Sequence, residues 1–402
     1  MMKTADSIEQ RIRDIQHFGE EGGVVPVIDH AATSTFLDPA EMEQVFLGEK
    51  EGCYLYSRHT NPSVISFGKK MAAMEGTEAA LGLSSGMAAI SCTVEQILLE
   101  GGHMISSNTV YGGTWALFKN VLEKRGIEIT YVDPFDVEAF RKAIRPETKL
   151  IYTEVMSNPL LGVSDIEELG KISKANNIKL VVDNTFTPML VSPAKWGADV
   201  VIHSATKFIS GHSDLIAGVI CSDQEFINQL IDVNSGLAML YGPTMDPKIA
   251  YELYVRLDHL PIRVKAHSDC AHQFVKTLLE NDINGVMYPG LETHPQHNVF
   301  NKICNREFGF GGMVTLDCGN LENALHLANK LQEAKFGLFA VSLGFSRTLM
   351  SCPSASTSSE IPKEEQDRIG LKEGVLRLSI GYTGHQEIMN QRFLDCYREV
   401  MN

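Results

Sequence analysis

Between Glu78 and Cys221, short apolar runs rich in β-branched residues alternate with longer stretches whose apolar positions recur every three to four residues. Such alternation is what parallel strands joined by crossover helices require. It predicts seven strands, at Ala79–Leu83, His103–Ser106, Glu128–Val132, Leu150–Thr153, Leu180–Val182, Val200–His203 and Ala217–Ile220. Sheets of this kind place ligands at the carboxyl ends of their strands, where loops and helix N-termini meet. Ser85-Gly86, Tyr111, Glu154–Asn158, Asp183 and Ser204–Lys207 all follow a predicted strand. Before about residue 62 the rhythm is missing, and the polar segment Tyr54–Pro62 reads as an arm or loop that reaches a neighbouring chain. Beyond Pro247 long helical patterns dominate, with strands expected at Met313–Asp317, Ala340–Leu343 and Val375–Ile380. The expected division is an arm over 1–62, a large α/β domain over 63–255 and a smaller α+β domain over 256–402.

A chain of 402 residues exceeds the size at which single cores stop growing, roughly 250–300 residues, which supports more than one unit. The formal net charge of -15 counts against a nucleic-acid partner, whose phosphates need Lys and Arg. No apolar run approaches the ~20 residues that cross a bilayer, and the opening MMKTADSIEQRIRD has no apolar core of a signal peptide. A cytoplasmic protein acting on small molecules is the expectation. The eight cysteines show no Cys-x-x-Cys pair and read as reduced thiols, and Ser354–Ser359 reads as a loop.

The run Val200–Lys207 is an apolar strand that passes through His203-Ser204-Ala205-Thr206 into a lysine. Burial at that place lowers a lysine's pKa, and only a neutral amine attacks an aldehyde. Taken singly, such a lysine is more often a solvated strand cap. Asp183, however, ends the preceding strand, where a carboxylate can keep a pyridine nitrogen protonated. Ser84-Ser85-Gly86-Met87 opens a helix after another strand, and the amides and dipole of that helix suit a phosphate. Reading His203, His212, Asp183 and Asp214 as metal ligands fails on spacing, so no metal is expected, and no Gly-x-Gly-x-x-Gly follows a strand as a dinucleotide site would need.

From about Val25 to its end the chain resembles the pyridoxal-phosphate enzymes of cysteine and methionine metabolism, which include cystathionine lyases, cystathionine γ-synthase, methionine γ-lyase and homoserine sulfhydrylases. The resemblance rests on Tyr56-Ser57-Arg58 with Asn61-Pro62, Ser85-Gly86-Met87, Tyr111–Thr114, Ser157-Asn158-Pro159, Asp183-Asn184-Thr185, His203–Lys207, Gly211–Asp214, Ser342-Leu343-Gly344 and Arg377–Gly381, in that order. It implies the fold-type I architecture, with a mainly parallel seven-stranded sheet and a smaller α+β C-terminal domain. It implies pyridoxal 5'-phosphate as cofactor, held as an imine on Lys207, and a homodimer with shared active sites that pairs into a tetramer. Tyr56 and Arg58 would reach the partner's cofactor phosphate, with Ser85, Gly86, Met87, Ser204 and Thr206 completing that cup. Tyr111 would stack on the ring and protonate the leaving thiolate, Asn158 would meet the ring hydroxyl, and Arg377 with Ser342 would take the substrate carboxylate.

Three departures bear on the substrate. Gly113 stands where methionine γ-lyases usually carry Cys, Arg347 stands where many γ-acting relatives carry Glu, and Tyr382-Thr383-Gly384 replaces the family's acidic pair. An arginine at position 347 could hold a distal carboxylate. The sequence therefore points to a carbon–sulfur lyase that cleaves cystathionine, with β-elimination ranked ahead of γ-elimination. Methionine γ-lyase and a γ-replacement enzyme stand as the alternatives.

Overall fold

The computed structural model describes residues 7–15, 23–46, 49–50, 52, 54–356 and 362–401. Cys53 and the 357–359 part of the Ser/Thr-rich stretch therefore lie outside the described residues. The seven apolar runs fold as one sheet: β1 (Ala79–Leu83), β2 (His103–Ser107), β3 (Glu128–Val132), β4 (Thr148–Glu154), β5 (Lys179–Asp183), β6 (Val200–His203) and β7 (Gly218–Ser222). Their order is β1-β7-β6-β5-β4-β2-β3. The pairs from β6 through to β3 are parallel, and β7 runs antiparallel to both β6 and β1. Two reversals make β1 parallel to β6, so Ser85 after β1 emerges on the same edge as Asp183, His203 and Glu154.

Both faces of this sheet are apolar, as a sheet covered by helices on each side demands. Ile105, Ile151, Leu180, Val182, Val201 and Val219 face one core, shared with Phe67 and Met71 of the helix Pro62–Glu75 and with Leu253 and Leu257 of the helix Pro247–Leu257. Their neighbours Met104, Leu150, Tyr152, Val181, Ile202 and Ile220 face the other, with Ala89, Ile90 and Val94 of the helix Gly86–Ile97. Local signals set the helix ends. Asn61 caps Pro62–Glu75 by accepting from the Ser63 amide, and Gly76 closes that helix at φ 78°.

A second sheet has the order β10-β11-β12-β9-β8, built from β8 (Val286–Met287), β9 (Met313–Asp317), β10 (Leu338–Phe339), β11 (Leu349–Ser351) and β12 (Val375–Ser379). Val314, Leu316, Leu376 and Leu378 pack there against Phe274, Leu327 and Phe393 from three helices. The strand expected at Ala340–Leu343 is absent: the paired residues are Leu338–Phe339, and the chain leaves the sheet after them. Val341 and Leu343 line a pocket, and Leu343 also packs into the core beneath the first sheet. The short β8, β10 and β11 were not anticipated. The helix Leu260–Glu280 runs between the two sheets and contributes to both cores through Val264 on one side and Phe274 on the other.

Candidate active site

The shared strand edge opens into a cavity of about 280 Å³ lined by Ser85, Gly86, Met87, Tyr111, Glu154, Asn158, Asp183, Ser204, Thr206, Lys207 and Arg377, with a wall of Ile90, Phe186, Ile216, Val341 and Leu343. Ten predicted site residues from six separate segments thus meet in one place. Ser342 joins them, since Lys207 Nζ donates to its Oγ at 3.2 Å. Tyr56 and Arg58 do not line this cavity in their own chain. Tyr56 is exposed, and Arg58 donates to the Met239 carbonyl at 2.9 Å. Arg347 is exposed and also lies outside the lining.

Electrostatics follow from burial. Desolvation, with the nearby Arg377 charge second, pushes the Lys207 amine down to about 8. Arg377 is 2% exposed on β12, and burial lowers its guanidinium to about 10. Its hydrogen-bond partners are neutral: Asn158 Oδ1 accepts at 2.8 Å and the Ser342 carbonyl at 3.2 Å. A buried cation that faces a cavity and has only neutral hydrogen-bond partners is suited to receive an anion there.

Asp183 has the opposite character. Its Oδ1 accepts from the Thr185 amide at 2.9 Å, and among the described residues no lysine or arginine pairs with it. Burial raises its pKa. Glu154 lies directly across from it in the β4–β5 register, and burial together with the charge of Asp183 pushes the Glu154 carboxyl well above the usual range. Glu154 Oε1 accepts from the Tyr111 amide at 2.7 Å and so fixes the loop that presents the tyrosine ring. The strand-end rule had flagged Glu154 without giving it a role. Phe186, Ile216 and Val341 carried no signal of a site role, because each is an ordinary apolar residue in the sequence.

At the other end of the cavity Ser85 caps the helix Gly86–Ile97 by accepting from Ala88 N at 3.1 Å. Gly86 is needed there, because a Cβ would sit 2.7 Å from Ser204 Cβ and close the gap between the two turns. Thr206 Oγ1 accepts from Ala217 N at 2.9 Å and holds that turn against the start of β7. An amine, a buried carboxylate without a cation, and a helix N-terminus in one apolar-walled cavity are the donor set that pyridoxal phosphate requires for its aldehyde, ring nitrogen and phosphate. The residues present fit that group.

Two of the four groups that a metal reading would need are engaged elsewhere. His203 Nε2 donates to buried Glu75 at 2.7 Å, and Asp214 pairs with Arg256 at 2.6 Å. Among the described residues no cluster of three or more His, Cys, Asp or Glu could hold a metal, and no helix is long and apolar enough to cross a membrane.

Comparison with known proteins agrees with the geometry. A methionine γ-lyase of Arabidopsis thaliana is 44% identical over 383 residues, covering 94% of this chain and 87% of its own length. A cystathionine β-lyase of Lactococcus lactis subsp. cremoris is 35% identical, covering 84% of this chain and 86% of its own. A putative O-acetylhomoserine (thiol)-lyase from Campylobacter jejuni, solved with N'-pyridoxyl-lysine-5'-monophosphate, superposes with a TM-score of 0.89 at 26% identity over 98% of this chain and 100% of its own. The family described as Cys/Met metabolism PLP-dependent enzyme matches residues 10–391. The chain belongs to that family, a PLP-dependent lyase of sulfur amino-acid metabolism with the fold-type I architecture.

Proposed function

We propose that this enzyme cleaves the Cγ–S bond of L-methionine, releasing methanethiol, ammonia and 2-oxobutyrate with uptake of one water. The observation that carries an amino-acid substrate is the buried Arg377 guanidinium with neutral partners, one side of a cavity that also holds the Lys207 amine. The apolar wall of Ile90, Phe186, Ile216, Val341 and Leu343 favours an uncharged methylsulfanyl side chain over the charged distal end of cystathionine. The methionine γ-lyase relative at 44% identity supports the same choice, and the ranking drawn from the sequence, with cystathionine first, is revised accordingly.

In this reading Lys207 would hold the cofactor aldehyde, Asp183 its ring nitrogen, and Ser85, Gly86, Met87, Ser204 and Thr206 its phosphate. Asn158 spends its Oδ1 on Arg377, which leaves its amide N–H as the donor to a ring oxygen. Pyridoxal phosphate, when bound, supplies the sink for the electron pair left on Cα. Arg377 grips the substrate carboxylate. The Lys207 amine, oriented by Ser342 Oγ, would take the Cα proton and, once that proton has been passed on and the amine is neutral again, a Cβ proton. Tyr111, held by Glu154, delivers a proton to the departing thiolate.

The active unit in this proposal is a homodimer. Tyr56 and Arg58 lie away from their own chain's cavity, and the arm exposes apolar side chains that a partner would cover, Val24 at 101% and Leu37 at 105%. Product analysis tests the substrate. With L-methionine, 2-oxobutyrate and methanethiol are expected. Pyruvate and homocysteine from L-cystathionine, with methionine inert, would instead support β-cleavage and a role for Arg347 at the rim. Cystathionine formed from an acyl-homoserine and cysteine would support γ-replacement.

A further inference from the structure

Lys207 and Arg377 come from different sheets, so neither sheet alone sets the distance between them. One helix touches both. On Leu260–Glu280, Arg263 donates Nη1 to the Phe208 carbonyl at 2.5 Å, Nη2 to the Ile209 carbonyl at 2.8 Å and Nε to His259 Nδ1 at 3.0 Å. Those two carbonyls belong to the residues directly after Lys207. Four positions on, and hence on the same helix face, His267 donates Nδ1 to the Ile380 carbonyl at 2.6 Å, three residues past Arg377. The His267 ring stands edge-on to Phe208 at 5.2 Å and to Tyr382 at 4.8 Å, so it too contacts both sides.

Arg263 is 6% exposed, and among the described residues no carboxylate pairs with it. Burial lowers its guanidinium to about 10. Arginines are almost never this buried without an acid, because desolvating the charge is costly. The backbone makes room for it: a Cβ at Gly211, whose φ is +72°, would fall 2.2 Å from Arg263 Nη1. A guanidinium presents separate N–H donors in a rigid planar fork, which suits two successive carbonyls.

We propose that Arg263 and His267 are positioning residues for catalysis: by gripping the peptide after Lys207 and the end of β12, one helix turn fixes the spacing between the amine that moves the proton and the guanidinium that holds the carboxylate. This rests on the assignment of Lys207 and Arg377 made above. A bond-making geometry displaced by about 1 Å costs on the order of 100-fold in rate, whereas a merely structural clamp would lower stability and leave each folded site at full speed.

The test uses the holoenzyme and two variants, Arg263→Met, which removes every donor, and Arg263→Lys, which keeps the charge but not the two separate nitrogens of the planar fork. Loaded sites are counted by borohydride trapping of cofactor on Lys207 and mass analysis, and kcat and KM are expressed per loaded site. The expected result is loading at Lys207 in both variants, kcat per loaded site reduced on the order of 100-fold in Arg263→Met with part recovered in Arg263→Lys, and KM changed less than kcat. A kcat per loaded site within about twofold of wild type in every variant that folds overturns the proposal, whatever happens to the melting temperature. If Arg263→Met does not fold, Arg263→Lys decides alone. Wild-type protein that traps no cofactor on Lys207 would overturn the assigned site as well, a separate and recognisable failure.

Discussion

The Lys207 amine sits at about 8 rather than its ordinary 10.5, with burial the larger cause and the Arg377 charge the smaller. At pH 7 about a tenth of the chains then carry the neutral amine that an aldehyde needs. Covalent loading of the apoprotein with pyridoxal phosphate should therefore speed up as pH rises, with a midpoint near 8 in the rate of absorbance growth, and then level off. Arg377→Ala removes one of the two lowering influences and should move that midpoint upward. The stability linkage has a matching sign. Because the folded amine titrates lower than the unfolded one, the unfolded chain holds the extra proton between about 8 and 10.5, and apoprotein stability rises with pH through that window. A loading rate independent of pH between 6 and 9, each about one unit or more from the midpoint, would contradict both statements.

At the level of elements, the first sheet was legible because its strands are buried on both faces and so appear as continuous apolar runs bounded by turns. Predicted and observed strands differ by two residues at most at any end. The second sheet was less legible. Leu338–Phe339 is a two-residue edge with both residues exposed, and the apolar run continues past it through Ala340-Val341, so Val341 and Leu343 imitate a strand although they line the cavity. The site was legible where chemistry needs a rare residue at a strand end, as at Lys207 and Asp183. It was not legible where tertiary contact alone assigns the role, as for Glu154 under Tyr111. One junction of elements carries a sharp expectation. β7 passes beneath the cap of the helix Gly86–Ile97 so closely that a Cβ at Gly218 would lie 2.0 Å from the Ser85 carbonyl oxygen, which is backbone and cannot swing aside. Gly218→Ala should cost about 1–3 kcal/mol in urea unfolding. Because the displaced turn is the proposed phosphate cup, cofactor affinity, read by fluorescence titration, should fall with it; unchanged affinity in the presence of the stability loss would detach Ser85–Gly86 from phosphate binding.

For the whole molecule the question is which chain completes each site. Arg58 bonds to Met239 of the helix Leu237–Tyr241, Tyr56 is exposed, neither lines the Lys207 cavity, and both follow an arm whose apolar residues lie open. In the proposed homodimer a second copy would cover side chains as exposed as Val24 and Leu37, and the Arg58 fork would serve that copy's phosphate cup. If so, Lys207→Ala and Arg58→Ala are each inactive alone for different reasons: the first chain keeps a good arm and the second keeps a good lysine. After the two are denatured together and refolded, hybrid dimers contain one site built from the intact lysine of one chain and the intact arm of the other. Such a mixture should recover about a quarter of wild-type activity, the statistical share of intact sites. Were Arg58 to serve the cavity of its own chain, every site in the mixture would lack one of the two groups and no recovery would follow. Activity in the equal mixture thus separates a shared site from a self-contained one without any knowledge of the contact surface itself.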